Sequence, residues 1–169
     1  MTQTVSGIQQ ADQPTIENLQ AQLQPVFDHI ADGAADRDAR GGIDPEPIAQ
    51  LRTAGFTRLR IPTEYGGYGL SLPQAYPFFV DLAAADSNLA QALRAHWGFV
   101  EDVLSRTHEQ ADFTHRWLTR LGEGVIVGNA ITERGNTHGS NATRLVRRDS
   151  AWVLNGNKFY STGSRYADW

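Results

Sequence analysis

The sequence predicts an α+β protein: an N-terminal all-α helical domain followed by an incomplete antiparallel β domain. Three observations carry this. Apolar residues recur at helical spacing between residues 15 and 122. After Gly122 the pattern changes to short β-rich runs broken by turn residues. Helices followed by strands, and not alternating with them, read as α+β and not as a parallel α/β sheet.

Each element follows from local chemistry. Residues 1–14 are polar, without a basic start or an apolar stretch, and read as a disordered arm and not a signal peptide. Ile16, Leu19, Leu23, Val26, Phe27 and Ile30 fall on one helical face, with Pro25 predicting a kink or a fresh helix start. Asp44-Pro45 opens a second helix, Ile48 and Leu51 face inward, and Gly55 closes it. Ser71 caps a third helix through Asp86, with Pro73 in its first turn, and a fourth runs from about Leu89 to Ser105. Thr107 with Gln110 forms a capping box for a fifth, ending near Gly122. Residues 123–169 then hold about four strands: Val125 to Thr132, Arg144 to Arg148, and Trp152 to Ser161 with a hairpin signal at Asn155-Gly156. A sheet that small cannot bury its own core, so the 123–169 segment reads as the start of a larger domain in a truncated chain.

Composition excludes several classes. A formal net charge of −4 over 169 residues leaves no basic footprint for nucleic acid. Arg144, Arg147 and Arg148 read as a solvated strand face. Zero cysteines exclude disulfides and thiolate chemistry and fit a cytoplasmic location. No run of ~18 apolar residues predicts a membrane span. The histidines do not pair with carboxylates at metal-ligand spacing, so no metal is expected. Gly122-x-Gly124-x-x-x-Gly128 follows a helix and precedes a strand, the reverse of a phosphate-cradling turn.

Three motifs, in order and at matching separations, point further. Gly55-Phe-x-x-Leu-x-Ile-Pro-x-x-Tyr-Gly-Gly-x-Gly-Leu70, Ala130-Ile-Thr-Glu133 and Asn155-Gly-Asn-Lys-Phe-Tyr-Ser-Thr-Gly163 resemble the helix-joining signature and the two flavin-contacting segments of the acyl-CoA dehydrogenase superfamily. The resemblance spans roughly residues 15–169. The stretch after Thr132-Glu133 departs from the dehydrogenase pattern: it is longer, lacks proline and ends in Asn141. Gly128-Asn129-Ala130, Lys158 to Gly163 and Ala167-Asp-Trp169 are similar to the branch containing dibenzothiophene monooxygenase and sulfur-acquisition oxidoreductases.

This resemblance implies a truncated acyl-CoA dehydrogenase-like fold and a flavin, FMN or FAD. Reduced flavin would come from a partner flavin reductase, and O₂ would oxidise a small apolar or sulfur-containing substrate. It also implies that the complete family member is a homo-oligomer, a tetramer. By the same resemblance Thr132, Tyr160, Thr162 and Ser140 contact the flavin, and His96, Asn129 and Thr162 line the reacting site. Thr132 would face the pyrimidine edge of the ring, Tyr160 would lie beside it, Thr162 would approach the N5 edge, and Ser140 would reach a phosphate. Glu133 reads as a structural hydrogen-bonding residue. Two alternatives stand beside this reading. One is an acyl-CoA dehydrogenase oxidising the Cα–Cβ bond of a thioester. The other is a truncated helical interaction fragment without catalysis, binding flavin weakly or not at all.

Overall fold

A computed structural model describes residues 14–41, 44–106, 109–135 and 140–169. Five helices come first: α1 (Ile16–Arg40), α2 (Glu46–Thr53), α3 (Leu72–Ala85), α4 (Ser87–Ser105) and α5 (Ala111–Gly122). A two-stranded antiparallel hairpin follows, β1 (Arg144–Arg148) and β2 (Ala151–Asn155). The α+β order read from the sequence is the order of the fold.

The helix starts show why the chain folds locally as it does. Thr15 caps α1 by accepting the amide of Asn18 at 3.2 Å. Asp44 accepts the amide of Glu46 at the mouth of α2. Ser71 and Gln74 form a reciprocal capping box on α3. Asp86 ends α3 and caps α4 through Asn88 and Leu89. The predicted box at Thr107 lies outside the described residues, and Gln110 precedes α5 without a side-chain cap.

Two predictions change. Of the kink or fresh start read at Pro25, no fresh start occurs: α1 is a single helix through that residue. Proline forfeits one helical hydrogen bond, but Leu19, Leu23, Phe27 and Ile30 on either side are all buried, and that burial holds the helix together. The hairpin turn lies at Asp149-Ser150, between the paired Arg148 and Ala151, and not at Asn155-Gly156. Asp149 takes a left-handed φ of 53°, which a short polar side chain tolerates. Asn155 pairs with Arg144 at the open end of the hairpin.

The core lies between α1, α2, α3 and the first half of α4. Phe56 is its centre, meeting Phe27, Phe79 and Trp97 edge-on at ring separations of 5.8, 6.1 and 5.7 Å. A second cluster joins Ile61, Val100, Val103, Leu118, Leu121 and Val127, and so seats α5 and the entry to the β segment. The glycine-rich loop 61–70 packs against the end of α5 with almost no clearance. A Cβ on Gly122 would stand 1.6 Å from the Tyr65 carbonyl oxygen. Gly122→Ala is expected to lower stability by about 2 kcal/mol or more, since backbone must shift to admit the methyl group; thermal unfolding of the variant checks this.

The hairpin is unlike the helices in having little cover. Its register places Leu145, Arg147, Trp152 and Leu154 on one face, and all but Arg147 are large apolar residues open to solvent. All five β1 residues, including the three arginines, are exposed.

Candidate functional site

The β segment is tied to the helices at three levels. His96, on the inward face of α4, is completely buried. Its Nε2 lies 3.0 Å from the Thr57 carbonyl oxygen and its Nδ1 lies 3.4 Å from the Val127 amide. One set of roles satisfies both contacts: Nε2–H donates to Thr57 and Nδ1 accepts from Val127, which is the neutral ring. Burial is the main reason the imidazole pKa falls from 6.5 to about 4. The Thr57 contact and Asp168 act the other way, and Arg52 adds to the depression.

The second tie is Asp168. Its carboxylate receives Arg52 of α2 at 2.9 Å and the Ile126 amide at 2.8 Å, while its own amide donates to the Ile126 carbonyl at 2.8 Å. The Gly128 amide donates to the Trp169 carbonyl at 2.9 Å. The third tie is aromatic. Trp169 meets Trp117 of α5 edge-on at 5.8 Å, and the Arg120 guanidinium lies 4.7 Å from one ring and 5.1 Å from the other.

From this anchored start, residues 129–132 run antiparallel to residues 159–162. The Asn129 amide donates to the Thr162 carbonyl at 3.0 Å and the Phe159 amide to the Thr132 carbonyl at 2.9 Å, with Thr132 paired to Tyr160. Directly paired antiparallel residues share a face, so Thr132 and Tyr160 point to the same side. Both are exposed, Tyr160 at 60%. The run from Val125 therefore forms one isolated bridge and main-chain contacts in place of the predicted continuous strand.

A cleft of about 640 Å³ opens beside this ladder, between the end of α1, the start of α4 and the turn 161–166. Its floor is the Arg37–Asp86 ion pair at 3.0 Å, with side chains only 12% and 5% exposed. Asn88, Gln91 and Ala92 of α4 form one wall and Thr162 to Tyr166 the other.

The predicted site residues therefore separate. Thr162 lines the cleft, and Thr132, Tyr160 and half-buried Asn129 belong to the ladder next to it. Ser140 is exposed. His96 reaches neither the cleft nor solvent; the residue read as lining the reacting site is enclosed, with both nitrogens engaged by main chain. Sequence reading missed the cleft residues Asn88 and Gln91 and the Arg37–Asp86 floor. They come from helix turns whose polar residues read as ordinary solvated faces. Among the described residues no group of three or more acidic or histidine side chains is placed to hold a metal ion. Nor is any helix among them long and apolar enough to cross a membrane.

The chain is similar to several known proteins. The chain is 28% identical over 151 residues to YdbM of Bacillus subtilis (strain 168), a protein named as an acyl-CoA dehydrogenase, covering 85% of this chain and 39% of that one. It is 30% identical over 144 residues to dibenzothiophene monooxygenase of Rhodococcus qingshengii, covering 80% and 32%. The chain thus spans between about a third and two-fifths of the length of these relatives. Among solved structures, FMN-bound TdsC from Paenibacillus sp. A11-2 superposes with a TM-score of 0.71 at 24% identity, over 89% of this chain and 38% of that one. A nitrososynthase from Micromonospora carbonacea var. africana superposes with a TM-score of 0.70 at 24% identity, over 91% and 40%. At that identity the likeness shows a shared fold. The family model for the acyl-CoA dehydrogenase N-terminal domain matches residues 17–125, most of the helical part, and the chain belongs to that family.

Proposed function

We propose that this chain is the N-terminal part of a flavin-dependent oxidoreductase of the monooxygenase-like kind. It would work with reduced flavin and O₂ on a small apolar or sulfur-containing substrate. The observation that carries the reading is the ladder joining Asn129–Thr132 to Phe159–Thr162 at the edge of the cleft. It puts the two segments that resemble flavin-contacting strands side by side. The residues present fit a flat ring: Thr132 and Tyr160 share one open face, and Thr162 stands where that face meets the cleft.

In this reading the flavin, when bound, supplies the redox chemistry, and the protein orients it and excludes water. Thr132 would hydrogen-bond the pyrimidine edge, where negative charge collects on reduction. Tyr160 would pack beside the ring and Thr162 would approach N5. Asn129 would present its amide near the substrate, and Ser140 would approach a phosphate from the loop. His96 acts through the main chain: by fixing Val127 it sets where Gly128, Asn129 and the ladder begin. The monooxygenase relative and the FMN of TdsC favour this reading over an acyl-CoA dehydrogenase, although the YdbM name leans the other way. FMN is the preferred flavin on the same ground.

Two assays of the intact gene product test it. With FMN, a flavin reductase and O₂, oxygenated product is expected from aromatic sulfur or indole-like substrates. With an acyl-CoA series and a dye acceptor, no reduction is expected. Acyl-CoA-dependent dye reduction without oxygenated product overturns the monooxygenase reading in favour of the dehydrogenase. Absence of saturable flavin binding overturns both and leaves a helical interaction fragment.

A further inference from the structure

The main-chain ladder that carries the site is thin. Two main-chain hydrogen bonds and one isolated bridge hold residues 129–132 to 159–162, and both faces around Ile131, Phe159 and Tyr160 are open. Register in such a ladder is weakly specified, and a slip of one residue turns every side chain to the other face. Something else must fix it.

That something is a convergence on one carboxylate. Glu133 follows Thr132 directly, and its side chain is 5% exposed. Lys158 precedes Phe159 and stands 2.7 Å from Glu133 Oε1. The same ammonium donates to the Ile131 carbonyl at 3.0 Å and to the Asn141 side-chain oxygen at 3.1 Å. An ammonium has three protons to give, and each has an acceptor. The carboxylate in turn accepts the Ala142 amide on Oε2 and the Thr143 amide (2.9 Å) and hydroxyl on Oε1. Segments 131–133, 141–143 and 158–159 thus meet at a single ion pair. An enclosed carboxylate with these donors is held well below the usual range, Lys158 being the largest cause, and stays ionised at any physiological pH.

We propose that Glu133 and Lys158 are positioning residues: together they set the register of the two segments bearing Thr132, Tyr160 and Thr162, and Glu133 serves as an internal anion that holds the amides of Ala142 and Thr143. The amides of Ala142 and Thr143 are the kind of donors a phosphate would use, and Glu133 already holds them. A flavin phosphate therefore has to be met by other groups. Removing Lys158 leaves an enclosed carboxylate without its cation, which is costlier than never having had the pair. Reversing the pair does not repair it, because a lysine at 133 offers no acceptor to the Ala142 and Thr143 amides.

The inference rests on the flavin reading for its consequence but not for its geometry, so the test has two readouts. Lys158→Met, Lys158→Arg, Glu133→Gln and the double reversal Glu133→Lys/Lys158→Glu are made in the intact gene product. Amide hydrogen exchange at Phe159, Ala142 and Thr143 is followed without flavin. FMN affinity and the bound-flavin absorption spectrum are followed well below the melting temperature. Lys158→Met and Glu133→Gln are expected to speed exchange at these amides. They should also weaken FMN at least ~10-fold and move its spectrum toward that of free FMN, with the helical melting transition retained. Lys158→Arg recovers most of the loss, and the double reversal does not. Unchanged exchange overturns the proposal, and so does rescue by the reversal, which would mean a simple ion pair. Faster exchange with unchanged FMN affinity and spectrum also overturns it, reducing the pair to a structural role. If the parent protein binds no flavin, the functional reading fails while the exchange data still decide whether the pair fixes the register.

Discussion

His96→Ala is expected to cost about 3–4 kcal/mol of folding stability near neutral pH. The side chain is fully buried and its loss strands two polar groups, the Thr57 carbonyl and the Val127 amide. Each unsatisfied group costs about 1–3 kcal/mol, the longer Val127 contact at the low end, and the cavity adds to this. A pH dependence goes with it. The folded pKa of about 4 lies below the ordinary 6.5, so the unfolded chain takes up a proton that the folded chain refuses. The neutral ring's contribution is therefore fully present above pH 6.5, falls as pH drops through the interval, and is gone below about pH 4. A fall from 6.5 to about 4 corresponds to about 3 kcal/mol. Urea unfolding across that range should show the slope in the parent protein and lose most of it in His96→Gln, which keeps an amide donor but does not titrate. A parent protein whose stability is flat between pH 6.5 and 4, with His96→Gln indistinguishable from it, would mean that the ring is solvated or charged in the fold.

Gly163→Val is expected to abolish the cleft while sparing the helices. Gly163 sits in the turn 161–166 with φ at 75°, a conformation that a β-branched residue resists. A Cβ there would stand 2.4 Å from the Ala92 carbonyl oxygen of α4. That neighbour is helix backbone and cannot swing aside, so the turn must lift away. Lifting it pulls Thr162 from the Asn129 amide and opens the wall of the cleft. Helical circular dichroism should be retained, with flavin affinity reduced at least ~10-fold. Gly163→Ala is the milder companion, with the same backbone conflict and a smaller side chain. Flavin binding by Gly163→Val equal to that of the parent would show that the turn plays no part in the site.

Both predictions concern contacts that no local window of sequence contains. His96 looked like a pocket residue because a motif was read around it, yet helix periodicity also puts it beside buried Leu93 and Val100 on the inward side of α4. Which partner an inward histidine finds depends on what packs against that helix, and here it is main chain from residues 57 and 127. The hairpin shows a local failure. Asn155-Gly156 is the stronger turn signal by residue type, but the register follows from the pairing of Leu145 with Leu154 and Val146 with Val153, which places the turn at Asp149-Ser150. Glu133, read as a structural hydrogen-bonding residue, does hold hydrogen bonds of that kind, and its partner Lys158 is visible only when residues 25 apart are brought together.

The sequence alone determined the five helices, the starts of two of them at Asp44 and Ser71, the end of the helical part at Gly122, and the family through three short motifs. Those are properties of neighbouring residues: capping bonds span three positions and helical periodicity spans four. The tertiary structure decided which of the marked residues meet. It brought Thr132 against Tyr160, set Thr162 in a cleft floored by Arg37 and Asp86, and enclosed His96. Each of those outcomes depends on long-range burial and on hydrogen-bond partners tens of residues away, so no periodicity in the chain announces them.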